Sequence, residues 1–342
     1  MTHPRLKRHL TLVAHGPDVV ELRHGVLSPS SVTLTDDTRS GRLLRILAGL
    51  DGCRSVAEIA ASQDLPEDDV AAVVARLTEL DLLEHGSGHA LDHYLDRLVP
   101  GLAAQEMPPP EAVTLLGDPG VCEGIARVLG DEPDIRTADD RLRAALREIA
   151  RSEPLDGLDF EEAAEPFAPL RDGFAVFAVD AVDPLEFRAF NRVCLHHRVP
   201  WIHAASDGPL LLVGPTFVPY RTSCYGCLET RLMANMRDSA GYQRYKNALA
   251  EGRVTTPDTP LDATLSAMLT SLTSFEALNL LRTGTSFTAG KMLTLYLPTM
   301  EFAFHEVLRS PSCPDCAPAP EQDDTALYYD IRALLNDADG PA

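Results

Sequence analysis

The first eighty-five residues carry two rhythms of apolar and polar positions, a short one and then a longer one. Leu10 to Ala14 and Val19 to Leu22 are short apolar segments separated by His15-Gly16-Pro17-Asp18, a hairpin signal. A third apolar and β-branched segment, Ser31 to Leu34, follows another turn-rich stretch. The rhythm then lengthens. Leu43, Leu44, Ile46, Leu47 and Leu50 share one broad helical face that stops at Gly52. A shorter helix opens at Ser55-Val56-Ala57-Glu58, a capping box in which Ser55 and Glu58 satisfy each other's backbone donors. A third helix begins at Pro66, a favoured first position, and Glu67, Asp68 and Asp69 complement its dipole. Val70, Val73, Leu77 and Leu80 recur on one face, and Leu82 to Glu84 returns as a short strand. Three strands followed by three helices, the last two tightly joined, predict a winged helix-turn-helix over residues 1–85.

Residues 86–110 end in Pro108-Pro109-Pro110, which cannot continue a helix and favours an extended spacer, so this stretch is predicted as a linker. From Ala112 strands and helices alternate. The pattern predicts strands at Val113 to Leu116, Ile135 to Thr137, Ala175 to Val179 and Trp201 to Ala204. Helices are expected at about Val121 to Leu129, Asp140 to Arg151 and Pro184 to His197. A long helix, Leu261 to Leu281, and a strand, Met292 to Leu297, complete an expected α/β domain, 111–318, with a mainly parallel sheet and helices on both faces. The acidic residues 319–342 read as a tail.

Composition narrows the function. The chain has 342 residues, 45% of them apolar, and a formal net charge of −21, which repels phosphate backbones and argues against nucleic acid as a partner. A winged helix also suggests a transcription regulator. Residues 1–90, however, hold nine Arg and Lys against thirteen Asp and Glu, and the third helix opens on three acids. No run of about 18 uncharged apolar residues exists and Met1 to Leu10 lacks a signal-peptide core, so a cytoplasmic protein without membrane contact is expected.

Seven cysteines in such a compartment are thiols or metal ligands rather than disulfides. Cys224-Tyr225-Gly226-Cys227 and Cys313-Pro314-Asp315-Cys316 are two knuckles in turn-rich contexts, each able to aim two thiolates at one ion. Four thiolates make a closed tetrahedral zinc site with no position left for water, hence structural rather than catalytic; the alternative is four buried thiols. Cys53, Cys122 and Cys194 lie among apolar neighbours without an activating partner and read as packed thiols.

The stretch Asp180 to Cys227, with Asn191-Arg192-Val193-Cys194, Val199-Pro200-Trp201-Ile202, Val213-Gly214-Pro215 and Cys224-Tyr225-Gly226-Cys227, resembles the ThiF and MoeB-like adenylating fold, in particular the ocin-ThiF-like branch used in making thiazole- and oxazole-modified peptides. Cys313-Pro314-Asp315-Cys316 fits the second zinc knuckle of that family, and the first domain is similar to a PqqD-like peptide-recognition element. The resemblance implies a Rossmann-type domain, a structural zinc, and a partner protein that binds the leader of a ribosomal precursor peptide. It further implies presentation of the core peptide to a YcaO cyclodehydratase, and a fold that often dimerises through its sheet domain. It also points to backbone pairing of the leader with Val32, Thr33, Leu34 and Thr35, and to Val70, Val73, Val74, Arg76 and Leu77 on the third helix. Val70, Val73 and Leu77 share the stripe that holds the helices together, so Val74 and Arg76 are the better contacts.

Active members of that family bind ATP on a glycine-rich turn after the first strand, here Gly117-Asp118-Pro119-Gly120-Val121-Cys122. Gly117 and Gly120 remain, but Pro119 removes an N–H donor, Cys122 stands for another glycine, and Asp118 adds an anion where phosphate would sit. No lysine occurs between Arg8 and Tyr245 to hold a triphosphate. Asp180 or Asp183 falls in the family's metal-binding neighbourhood, or caps a loop. These departures predict a non-catalytic partner without ATP; the alternative is an active adenylating enzyme acting on a peptide or carrier-protein C-terminus.

Overall fold

The computed structural model describes residues 3–27, 31–84, 110, 112–130, 134–152, 156–255, 261–284 and 286–317. The expected linker at 86–110, Pro110 apart, and the tail at 319–342 lie outside them. The chain divides between Ala104 and Gln105 into two compact units.

In the first unit, β2 (Leu10–Gly16) and β3 (Val19–His24) form the expected hairpin, and β4 (Ser31–Thr35) pairs antiparallel with β3. The alternation along β3 sends Val20 and Leu22 into a core shared with α1 (Leu43–Gly49), α2 (Val56–Gln63) and α3 (Glu67–Glu79). Ser55 and Glu58 make the reciprocal capping box at the head of α2. Pro66 is extended (ψ 133°) and caps α3 rather than starting it, so the helix begins one residue later than its sequence suggests. One short strand escapes the pattern: β1 (Arg5–Leu6) pairs antiparallel with β5 (Leu83–Glu84), where Arg5 and Arg8 both pair with the buried Glu84 carboxylate.

The second unit is built on a seven-stranded sheet ordered β12-β11-β10-β9-β8-β6-β7. β6 (Val113–Gly117), β7 (Ile135–Thr137), β8 (Phe174–Val179) and β9 (Trp201–Asp207) are parallel. Helices α4 (Pro119–Leu129), α5 (Asp140–Arg151) and α7 (Pro184–His197) follow three of these strands, as the alternation requires. The remainder corrects the expectation of a mainly parallel sheet. β10 (Leu210–Phe217), β11 (Lys291–Tyr296) and β12 (Glu301–Glu306) run antiparallel, making a mixed sheet. The physical reason is local: β9 returns on itself through the two-residue loop Gly208-Pro209, with Gly208 at φ 54°, so no crossover helix separates β9 from β10.

Five helical segments are additional to those the sequence predicts or shifted from them. α6 (Leu158–Ala164) runs into a 3-10 helix (Glu165–Asp172), and α9 (Ser239–Ala250) follows α8 (Tyr225–Asn235). The long helix α10 (Ala263–Thr283) starts two residues later than expected because Asp262 caps it, accepting from the Thr264 N–H. Between the sheet and α7 the core is aromatic. Phe177 stands 4.7 Å from Phe187, Phe190 5.2 Å from Trp201, and Trp201 4.6 Å from Phe217, ring centre to ring centre. His203 on β9 is buried among them at 4.3 Å from Phe187 and bonds the Gly214 carbonyl; burial pushes it down to about 4 and keeps it neutral.

Candidate functional sites

The two cysteine knuckles meet. Cys224 caps α8, Cys227 lies in its first turn, and both face Cys313 and Cys316 from the turn after β12. Cys224 Sγ is 3.6 Å from Cys313 Sγ, Cys227 Sγ is 3.6 Å from Cys316 Sγ, and Cys224 and Cys227 are 3.9 Å apart. All four are buried with sulfurs within 4.8 Å of one another. A tetrahedral ion with metal–sulfur bonds of about 2.3 Å requires sulfur–sulfur edges of about 3.8 Å, so the cluster fits a four-thiolate metal. The Ser310 N–H donates to Cys227 Sγ at 3.3 Å, the second-sphere contact expected of a thiolate ligand.

Gly226 lets the two knuckles approach closely: a Cβ there would stand 2.2 Å from Asp315 Oδ2 of the other knuckle, so a larger residue would displace that carboxylate. Asp315 Oδ1 in turn lies 3.5 Å from Arg188, which also reaches Glu229 on α8 at 3.5 Å. Glu229 receives Lys246 and, at 2.9 Å, the Tyr242 hydroxyl, both from α9. A chain of buried and half-buried charges therefore links the cysteine cluster to a helix that carries no strong apolar stripe of its own.

The loop after β6 is closed on itself. Gly117 has φ 131°, and a Cβ there would fall 1.7 Å from the Ala178 carbonyl oxygen, so only glycine lets the end of β6 lie against β8. Pro119 opens α4, and the Asp118 carboxylate does not cap it. Instead Asp118 Oδ2 accepts the Asp180 N–H at 2.6 Å, and Oδ1 lies 3.5 Å from Arg143. Burial, and then the Asp118 carboxyl beside it, pushes Asp180 up to about 6. Asp183 caps α7, accepting from the Leu185 and Glu186 N–H groups at 2.9 and 3.2 Å. The cavity here is only about 160 Å³ and is lined also by Arg147, Glu186 and Tyr245.

Arg143 and Arg147 were not legible as members of this site, since both lie on a helix distant in sequence. Each is committed to a carboxylate, Asp118 and Glu186 respectively. Of the other cysteines, Cys122 and Cys194 are buried and burial raises both thiols, Cys122 to about 12, whereas Cys53 is exposed rather than packed. Neither buried thiol is a nucleophile near neutral pH.

In the first unit β4 pairs only with β3, so among the described residues its outer edge carries no ladder partner. Thr33 and Thr35 are exposed, while Val32 and Leu34 turn toward the unit's core. On α3, Val70 and Leu77 are fully buried in that core, which removes them as side-chain contacts for a ligand. Val73 and Val74 are half-buried and Arg76 is exposed.

No family model matches the sequence, and a search of curated proteins finds no match. Solved structures do match. The heterocyclase TruD is 24% identical with a TM-score of 0.63 over 93% of this chain and 43% of that one. A heterocyclase solved with substrate and cofactor is 21% identical, with a TM-score of 0.65 over 93% and 40% of the respective chains. E. coli MccB, solved with ATP, is 15% identical, with a TM-score of 0.50 over 92% of this chain and 99% of its own. The chain thus spans less than half the length of the heterocyclases. No described helix is long and apolar enough to cross a membrane. At these identities the likeness is one of fold: a mixed α/β architecture that heterocyclases and MccB share and that agrees with the ThiF-like resemblance of the sequence.

Proposed function

We propose that this chain binds the leader of a ribosomal precursor peptide and presents its core to a YcaO-type cyclodehydratase that forms thiazoline or oxazoline rings. The observation that carries the reading is the Asp118–Asp180 contact: on a fold shared with heterocyclases, the turn that would cradle phosphate is filled by a carboxylate from the chain itself. Such a turn repels a triphosphate rather than binding it. The protein acts here as a non-catalytic scaffold, and zinc on Cys224, Cys227, Cys313 and Cys316 holds the second unit together without an open coordination position.

In this reading residues 1–85 are a winged-helix recognition element, and the leader adds a strand to the free edge of β4, a mode in which backbone bonds supply affinity and alternate side chains specificity. Thr33 and Thr35 border that edge, and Val73, Val74 and Arg76 are the accessible part of α3. Holding the leader raises the effective concentration of each core Cys, Ser or Thr at the partner's active site.

The rival reading, an adenylating enzyme, draws on the fold shared with MccB, which has been solved with ATP. Two measurements decide. Fluorescence anisotropy of the labelled leader encoded beside this gene should show saturable binding to the full chain, and ATP–pyrophosphate exchange should stay at background with leader present. Exchange above background would overturn the scaffold reading, and no leader binding would remove its central claim.

A further inference from the structure

We propose that the cavity along α7 binds an extended acidic peptide segment, and that Glu321 to Asp324 of this chain supply it. The inference concerns the second unit alone and does not depend on the leader-binding reading.

The cavity measures about 500 Å³, and α7 lines it with Arg188, Arg192 and His196. A spacing of four residues sets these three on one helical face, about 6 Å apart along the axis and about 12 Å from first to last. Such a row stands out in a chain of net charge −21. Phe160 and Tyr220 add aromatic walls, and Asp315 of the second cysteine knuckle borders the same space. Neither arginine is held tightly. Arg188 lies 3.5 Å from both Glu229 and Asp315, beyond the ordinary range of a charge-assisted hydrogen bond, about 2.7–2.9 Å. Arg192 meets Asp156 at 3.2 Å, but that carboxylate is 82% exposed, so water competes for the pair. The Arg192 guanidinium also stands 4.3 Å over the Phe160 ring, which steadies it without neutralising it.

Along an extended peptide, side chains on one face repeat every 6.6 to 6.8 Å or so, roughly the helical repeat of 6 Å. Carboxylates at alternate positions therefore fall in step with the row. A phosphate dianion would concentrate two charges beside Asp156 and Asp315, whereas single carboxylates spread theirs along the helix. Pro318-Ala319-Pro320-Glu321-Gln322-Asp323-Asp324 follows Ala317, itself two positions beyond Asp315. Glu321 and Asp323 supply the alternate carboxylates. The four residues from Ala317 to Glu321 can span at most about 14 Å, a reach comparable with the row itself. Attachment to the same chain also gives the segment an effective concentration on the order of 1 mM, which a separate acidic peptide would have to match.

The test is fluorescence anisotropy with a labelled peptide reproducing residues 318–330, added to two full-length proteins. One is wild type, and the other carries Glu321→Gln, Asp323→Asn and Asp324→Asn together. The neutralised chain should bind the peptide about tenfold more tightly than wild type, the ratio expected when a segment at about 1 mM competes with a peptide whose Kd is about 100 μM. In the neutralised chain Arg192→Glu should weaken binding at least about tenfold, and so should His196→Glu, placed at an exposed position to spare the fold. A neutralised chain that does not bind the peptide, or whose binding survives both charge reversals, overturns the proposal. Wild type binding the peptide as tightly as the neutralised chain also overturns it, and would leave the cavity to an acidic peptide from another chain.

Discussion

Asp118 Oδ2 accepts the backbone N–H of Asp180 at 2.6 Å, joining the turn after β6 to the turn after β8 through a carboxylate. Asp180 carries its own carboxyl into the same place and is pushed up to about 6, by burial first and by Asp118 second. In the unfolded chain it ionises near 3.8. Between those values the folded protein binds more protons than the unfolded one, so this pair lowers stability as pH rises through the window, and the penalty is complete above it. Asp118→Asn keeps an acceptor for the N–H and removes the charge. The variant should melt about 1–2 °C higher than wild type near pH 7.5, allowing for solvent screening, with the gap closing toward pH 4. A gap that does not vary with pH would show that the two carboxyls do not interact.

Zinc content gives a second check. The purified chain should carry one zinc per molecule by elemental analysis, and Cys227→Ser should lose it and lower the melting temperature, because one ligand of a closed site cannot be replaced by water without exposing the rest. Cys122→Ser, which touches no metal ligand, should keep the full zinc content.

Glu229 sits 6% exposed between Arg188 and Lys246, the latter 10% exposed. Glu229→Ala leaves the ammonium of Lys246 without a counter-charge and should cost about 3–5 kcal/mol in urea denaturation. Combining it with Lys246→Met should recover much of that loss, because the pair is then replaced by apolar volume. Failure to recover would place the cost in packing rather than charge.

For the leader, Val74→Glu alters a half-buried position on α3 and should weaken anisotropy-measured binding about tenfold or more while zinc content stays unchanged. Arg76→Ala, at an exposed position paired with Glu79 at 2.8 Å, should change stability by less than about 0.5 kcal/mol, so any loss of affinity reports contact with the peptide.

Much of this was legible where a local rule and the tertiary environment agreed. Ser55 and Glu58 announce α2 because the capping box is a property of four consecutive residues. The boundaries of α5 and α7 follow from Asp139 and Asp183, whose carboxylates accept from the first turn. The cysteine cluster could be read because pairs of cysteines with two residues between them have few other uses. What escaped depends on partners remote in sequence. β1 is two residues long and exists only because Leu83 and Glu84 return to it. α9 is held by Lys246 and Tyr242 reaching Glu229, a contact no periodicity encodes. β10 is absent from the strands expected of the sequence, because Gly208-Pro209 joins it to β9 as a hairpin inside a stretch whose preceding pattern is strand alternating with helix. Val70 and Leu77 illustrate a limit of helical stripes, which show that a face is apolar without saying whether it meets the core or a ligand.

The distance along the chain between Cys224 and Cys313 sets an order of events during synthesis. Eighty-nine positions separate them, and α8, α9, α10, β11 and β12 all lie in the loop that their meeting closes. While a ribosome is still translating that loop, only one knuckle has been made, and a two-thiolate half-site holds metal poorly. The four-cysteine cluster therefore cannot close until Cys316 has emerged, after every strand of the sheet's antiparallel half has already been made.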